Sequence, residues 1–230
     1  MTENRLGLAN GYVRVDCGDE QHPRTTDDGL TFGGNQGWFS GEGVIAPLGC
    51  GLISCADILL YMTGRRNLGL EEYRDFVRSI GKGRLKVRRK LGVNGISMAF
   101  GMQSRLKGLG MPRRVRWCFS RKKILPRIRD MLERDIPVTI SAGPQLLFSK
   151  RRRTGINLYT RDENGEFIIP SWRGSLVRDH YMTVTALIER NGRTMLEVSS
   201  WGERYYIDWD EYLKYINTFG TFFSNIMYIK

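Results

Sequence analysis

From Leu52 to Met62 the chain reads Leu-Ile-Ser-Cys-Ala-Asp-Ile-Leu-Leu-Tyr-Met, with apolar residues on nearly every side of a 3.6-residue turn. A helix that is apolar almost all round belongs at the centre of a domain. Thr63-Gly64 supplies its stop, and Pro47 and Gly49 break the chain just before it, so Cys50 is expected in or beside the first turn. Two amphipathic helices follow. Glu71 to Ile80 has Tyr73, Phe76, Val77 and Ile80 on one face, and Gly95 to Leu106 groups Ile96, Ala99, Phe100 and Met102. Residues 1–46 have little periodicity and read as extended chain and loops, with Gly33-Gly34-Asn35-Gln36-Gly37-Trp38-Phe39 their most distinctive piece.

Beyond residue 113 the pattern changes. Arg114 to Phe119 alternates polar and apolar, a strand signature. Ser120 is an N-cap for a basic helix to about Arg134, and Pro126 favours a later start because proline is tolerated only in the first turn. Ile136 to Ile140 reads as a buried strand, with Pro137 at an end or edge. The strongest β signal is His180 to Ile188, turning through Asn191-Gly192 into Thr194 to Trp201. A strand from Arg204 to Ile207, a helix from Trp209 to Ile216 and a strand from Phe222 to Ile229 complete the chain. The expected class is α+β in a single domain over 1–230. An N-terminal extended segment and helical lobe span 1–110, and an antiparallel β lobe, sheet or barrel, spans 111–230.

A chain of 230 residues with 41% hydrophobic content has ample material for a core. No apolar run reaches the length of a membrane-spanning helix, and Met1-Thr2-Glu3-Asn4-Arg5 lacks the apolar core of a secretory signal. Cys17, Cys50, Cys55 and Cys118 are irregularly spaced, fitting neither a disulfide framework nor a zinc pattern. A reducing, cytoplasmic setting is expected, with no membrane partner, no metal and no organic cofactor. The net charge of +12, concentrated in Lys82 to Lys90, Arg113 to Arg129 and Lys150 to Arg153, raises nucleic acid as a partner. No helix-turn-helix, RNA-recognition or zinc-finger signature focuses that charge, so it reads as solvated faces.

A cysteine at the start of a buried helix meets unpaired N–H groups and the positive end of the helix dipole, which stabilise a thiolate. Such a nucleophile needs a base near neutral pH, and the chain has two histidines, His22 and His180. His180 opens the best-formed strand, whereas His22 lies in a polar, Pro-flanked segment.

Gly49-Cys50-Gly51 before the central helix, His180 on a later strand and Ser199-Ser200-Trp201-Gly202 one hairpin on resemble the papain-like cysteine peptidases. His180 follows Cys50 by 130 residues (180 − 50) and Ser199 follows His180 by 19 (199 − 180). The short hairpin is closer to the bacterial branch that includes bacteriocin-leader peptidases. The resemblance covers roughly residues 35–210. It implies a helical lobe whose Cys-bearing helix packs on an antiparallel lobe. Cys50 would be nucleophile, His180 proton carrier, Ser199 the residue orienting the imidazole, and Trp201 the shield over their hydrogen bond. Two positions depart from the family pattern. Ser199 stands where an asparagine is usual, and Val44 where an oxyanion-hole glutamine is usual, leaving Gln36 as a donor returned by a longer loop. Glu197, Glu203 or Asp208 is the competing partner for the ring. The expected function is thiol-dependent hydrolysis of a peptide or amide bond in a peptide or protein substrate. The alternatives are a silent papain-like peptide-binding module and a basic nucleic-acid binder. Oligomeric state is left open.

Overall fold

The computed structural model describes residues 3–18, 28–89, 92–143, 155–171, 175–218 and 224–230. His22 and Lys150 to Arg153 lie outside the described residues. The chain is an α+β protein whose central feature is one mostly buried helix laid on an antiparallel sheet. It opens with strand β1 (Glu3–Gly7) and a short β2 (Arg14–Asp16). A 3-10 turn at Gln36–Phe39 and a one-turn helix α1 (Ile45–Leu48) lead into α2 (Cys50–Met62). Then come β3 (Asn67–Gly69), α3 (Leu70–Ile80), α4 (Gly95–Gly108), β4 (Val115–Trp117), α5 (Ile124–Glu133) and β5 (Val138–Ala142). Four two-residue strands follow: β6 (Ile156–Asn157), β7 (Thr160–Arg161), β8 (Phe167–Ile168) and β9 (Leu176–Val177). The chain closes with β10 (His180–Arg190), β11 (Arg193–Ser200), β12 (Glu203–Asp208), α6 (Trp209–Thr218) and β13 (Ile226–Ile229).

The main sheet has the order β12-β11-β10-β5-β13-β4, and β1 pairs with the far half of β10. All of its pairings are antiparallel. Among the described residues β12 and β4 are the ends of an open sheet, so the barrel expected as one form of the β lobe does not close. β1 also carries the N-terminal segment into that sheet. The β10–β11 turn at Asn191-Gly192 has both residues at positive φ (52° and 74°), as a two-residue primed turn requires. Trp201 and Gly202 repeat that geometry between β11 and β12 (52° and 78°).

α2 lies across β10 and β5. Leu52, Cys55, Ala56, Ile58, Leu59 and Leu60 are all essentially without exposure. The helix carries few polar groups inward, and each is met. Ser54 Oγ bonds Thr139 Oγ1 at 2.7 Å and Thr183 Oγ1 at 2.8 Å, tying the helix to β5 and β10. No helix of the described residues is long and apolar enough to cross a membrane. α5 begins after a 3-10 turn at Arg121–Lys123, which puts Pro126 in its first turn as its chemistry demands. β5 is central and fully buried, so Pro137 marks the strand's approach and not an edge. The face of α4 differs from the sequence expectation. Met98, Ala99, Met102 and Leu106 are buried, while Ile96 and Phe100 are 46% and 52% exposed.

Candidate active site

Cys50 is the first residue of α2, with Gly49 as N-cap, and its side chain is half-buried. His180 is the first residue of β10, pairs across the sheet with Ala142 of β5, and is buried. Since α2 crosses β10, helix start and strand start meet. Cys50 and His180 line one cavity together with Gln36, Ser54, Asp57, Tyr181, Ser199, Ser200 and Trp201. The cavity is narrow, about 10 Å3, room for roughly one water. Cys17, Cys55 and Cys118 are buried outside this cavity as thiols, not joined in disulfides.

The imidazole is held on two sides. Its Nε2 lies 2.7 Å from Ser200 Oγ, and the Trp201 indole stacks on it with centroids 4.4 Å apart and planes at 19°. Trp201 thus covers one face of the ring. Ser199 does not hold the ring. Its hydroxyl donates to Phe32 O at 2.7 Å, because successive residues of β11 point to opposite faces. The residue orienting the ring is therefore Ser200, one step along the strand from the position that spacing indicated. Glu197 and Asp208 are committed elsewhere. Glu197 accepts from Arg5 Nη2 (2.9 Å) and Thr185 Oγ1 (2.8 Å). Asp208 accepts from Arg193 and from the Asp210 and Glu211 N–H groups, capping α6.

With Nε2 engaged, Nδ1 is the ring nitrogen left to act as a base, provided the ring proton resides on Nε2 and is donated to Ser200. The electrostatics are those of a neutral pair. Burial lowers the His180 pKa from 6.5 to about 3. Burial likewise raises the Cys50 thiol above its ordinary value, against main-chain hydrogen bonding from Tyr181, Gly51 and Cys50 itself. The helix start alone does not produce the depressed thiol pKa that sequence reasoning expects, because desolvation outweighs it.

No family model, curated protein or solved structure matches this chain.

Gln36 reaches the cavity although it precedes Cys50 by 14 residues (50 − 36). The 3-10 turn and α1 fold the intervening chain back, and Gln36 Nε2 donates to Ala46 O at 2.9 Å, leaving its second N–H for another acceptor. Val44 contributes no lining residue to the cavity. The loop before Gln36 is pinned by Asp57, a buried carboxylate on the second turn of α2. It accepts from Tyr73 OH (2.6 Å), from Gly34 N–H (3.1 Å) and, at 3.4 Å, from Tyr12 OH. Burial raises the Asp57 pKa from 3.8 to about 6, opposed by those three donors. The loop is also laced to the Trp201-Gly202 turn, through Phe32 N–H to Gly202 O (2.7 Å) and Gly202 N–H to Gly34 O (2.9 Å). Asp57 is a carboxylate on an otherwise apolar helix, and such a group must find donors. Ser200 carried no signal in the sequence beyond standing next to Ser199.

Proposed function

We propose that the protein is a cysteine hydrolase acting on a peptide or amide bond, of the papain-like kind its motifs resemble. Convergence of Cys50, at the start of α2, with a ring-stacked and hydrogen-bonded His180 in one cavity supports this reading above any other observation. The neutral imidazole takes the thiol proton at Nδ1 as Sγ attacks the substrate carbonyl carbon. A C–S bond forms, and the carbonyl electron pair moves to oxygen, within reach of a Gln36 N–H and the main-chain N–H at Cys50. Collapse breaks the C–N bond, and the imidazolium returns the proton to the leaving amine. Water, deprotonated by the same nitrogen, then cleaves the thioester to an acid and the free thiol. Ser200 holds the Nε2–H tautomer throughout, and Trp201 excludes water from that bond.

The proton transfer is concerted with attack in this scheme, since both groups rest neutral. Substrate entry requires the cavity to open. The second reading, a silent module that binds a peptide without cleaving it, is favoured by the small volume beside Cys50 and by the raised thiol pKa. A panel of peptidyl acyloxymethyl ketones separates the two. Turnover-competent protein is labelled at Cys50 in preference to Cys17, Cys55 and Cys118, and labelling is lost in His180→Ala. Absence of labelling, or labelling indifferent to His180, retires the enzyme.

A further inference from the structure

A second concave surface lies outside the Cys50 cavity, between α4 and the β4–α5 segment, with a volume of about 700 Å3. Three large apolar side chains stand at it with about half their surface in water: Ile96 (46%), Phe100 (52%) and Phe119 (59%). Singly exposed apolar residues need no account, but three converging on one groove mark an interaction site. The rim has one sign of charge. Arg114, Arg116, Lys123 and Arg127 line it, and among the described residues none of the four is ion-paired to a carboxylate. Arg127 instead lies over the Tyr228 ring, 3.9 Å from its centroid.

We infer that this groove binds an acidic segment of another polypeptide, with apolar side chains seated between α4 and β4 and carboxylates on the arginine and lysine rim. Two features favour a peptide over a nucleic acid. The groove wall mixes aliphatic Ile96, Ala99 and Val115 with aromatic residues, but Trp117 and Tyr228 are buried and the Phe100 ring carries the Arg84 guanidinium 5.1 Å from its centroid, so much of the aromatic surface is already covered and little flat face is left for a base. Arg116 on β4 and Arg114 just before that strand are exposed rim residues two positions apart, roughly 6.6 Å in extended chain from the rise per residue, which matches alternate carboxylates of an extended chain. Recognition runs through side chains and not through addition of a strand. Gln103 Oε1 already accepts from Val115 N–H at 3.1 Å, on the edge that an added strand would need.

The inference stands apart from catalysis at Cys50 and is tested in Cys50→Ala as well as in the unaltered chain. Fluorescence anisotropy with a labelled dodecapeptide of alternating Glu and Leu, at moderate salt, should give saturable binding. The Lys-Leu counterpart and an all-Glu dodecamer should bind at least tenfold more weakly. F100S and the double variant R116E/K123E alter exposed residues, so folding is retained and checked by thermal melting. Each should weaken the Glu-Leu peptide at least tenfold. Tighter binding of an oligothymidylate that falls in the same variants would overturn the proposal in favour of a nucleic acid. Equal binding of the all-Glu peptide, indifference to F100S, or no binding of Glu-Leu would overturn it outright.

Discussion

The His180 ring has little freedom: Ser200 Oγ holds Nε2 at 2.7 Å and the Trp201 indole covers one face at 4.4 Å. A neutral hydrogen bond of this kind is worth about 1 kcal/mol, and here it also selects the tautomer. Replacing Ser200 by Ala is expected to lower turnover, or the rate of Cys50 labelling by a peptidyl ketone, by roughly tenfold, with a small change in denaturation midpoint. Ser199→Ala should behave the opposite way. It removes the donor to the Phe32 carbonyl, costs about 1–3 kcal/mol in urea denaturation, and leaves the labelling rate nearly unchanged. Equal effects of the two variants on labelling would mean the ring is not oriented through Ser200. The thiol gives a second prediction at this scale. Burial raises the Cys50 pKa, so the thiolate is scarcer at neutral pH than in a free cysteine. Iodoacetamide modification of Cys50 should climb with pH through and beyond 9, below the rate of an unstructured thiol. A plateau near pH 6 would instead reveal a thiolate–imidazolium pair.

At the scale of elements, the site is a joint between α2, the β10–β11 ends and the loop that Asp57 fastens. Gly33 is where these crowd. Its φ is +80°, and a β carbon there would stand 2.2 Å from Ser199 Oγ and 2.7 Å from an Asp57 oxygen. Gly33→Ala should therefore cost well over the ~1–2 kcal/mol of left-handed backbone alone and should reduce Cys50 labelling by displacing Gln36. Gly192→Ala is the matched control, with φ +74° and nothing within 4 Å. It should show only the backbone cost in thermal melting and no loss of labelling. The same elements explain what could be read from the chain. α2 was legible because eleven residues without a polar face admit only the interior. A carboxylate on such a helix needs partners, and at Asp57 Gly34 N–H and two tyrosine hydroxyls supply them. The β10–β11 hairpin was legible from Asn191-Gly192. Ser200 was not, because choosing between adjacent serines needs the strand's facing, which only the packed sheet fixes. Nor was β1, whose Glu-Asn-Arg-Leu-Gly pairs through its backbone while its side chains stay largely exposed. The α4 face was misjudged because Ile96 and Phe100 group with the core residues on a helical wheel, yet serve an open groove.

For the whole molecule, the ion pairs are mostly between exposed partners, such as Arg65–Glu72 and Arg78–Asp75, and pairs of that kind contribute little each. The pH dependence of stability should instead follow the two buried titrating groups of the site, which act with opposite signs. His180 is lowered from 6.5 to about 3, so between those values the unfolded chain binds the extra proton. Its contribution is whole above pH 6.5 and is lost as pH falls towards 3. Asp57 is raised from 3.8 to about 6, so over that interval the folded chain binds the extra proton. Its burial costs nothing below 3.8 and costs most above 6. From pH 6 to 4 the two slopes oppose one another, and below 3.8 only the histidine slope remains, so stability should be nearly flat and then fall steeply. Single variants separate the contributions. The stability of Asp57→Asn relative to the unaltered chain should improve by up to about 3 kcal/mol between pH 4 and 7, whatever its constant offset from altered hydrogen bonding. His180→Gln should remove the fall below pH 3.8 and leave stability rising as pH drops from 6 to 4. Urea denaturation at pH 3.5, 5 and 7 reads both, and a constant Asp57→Asn difference across that range would mean the carboxyl does not change protonation there.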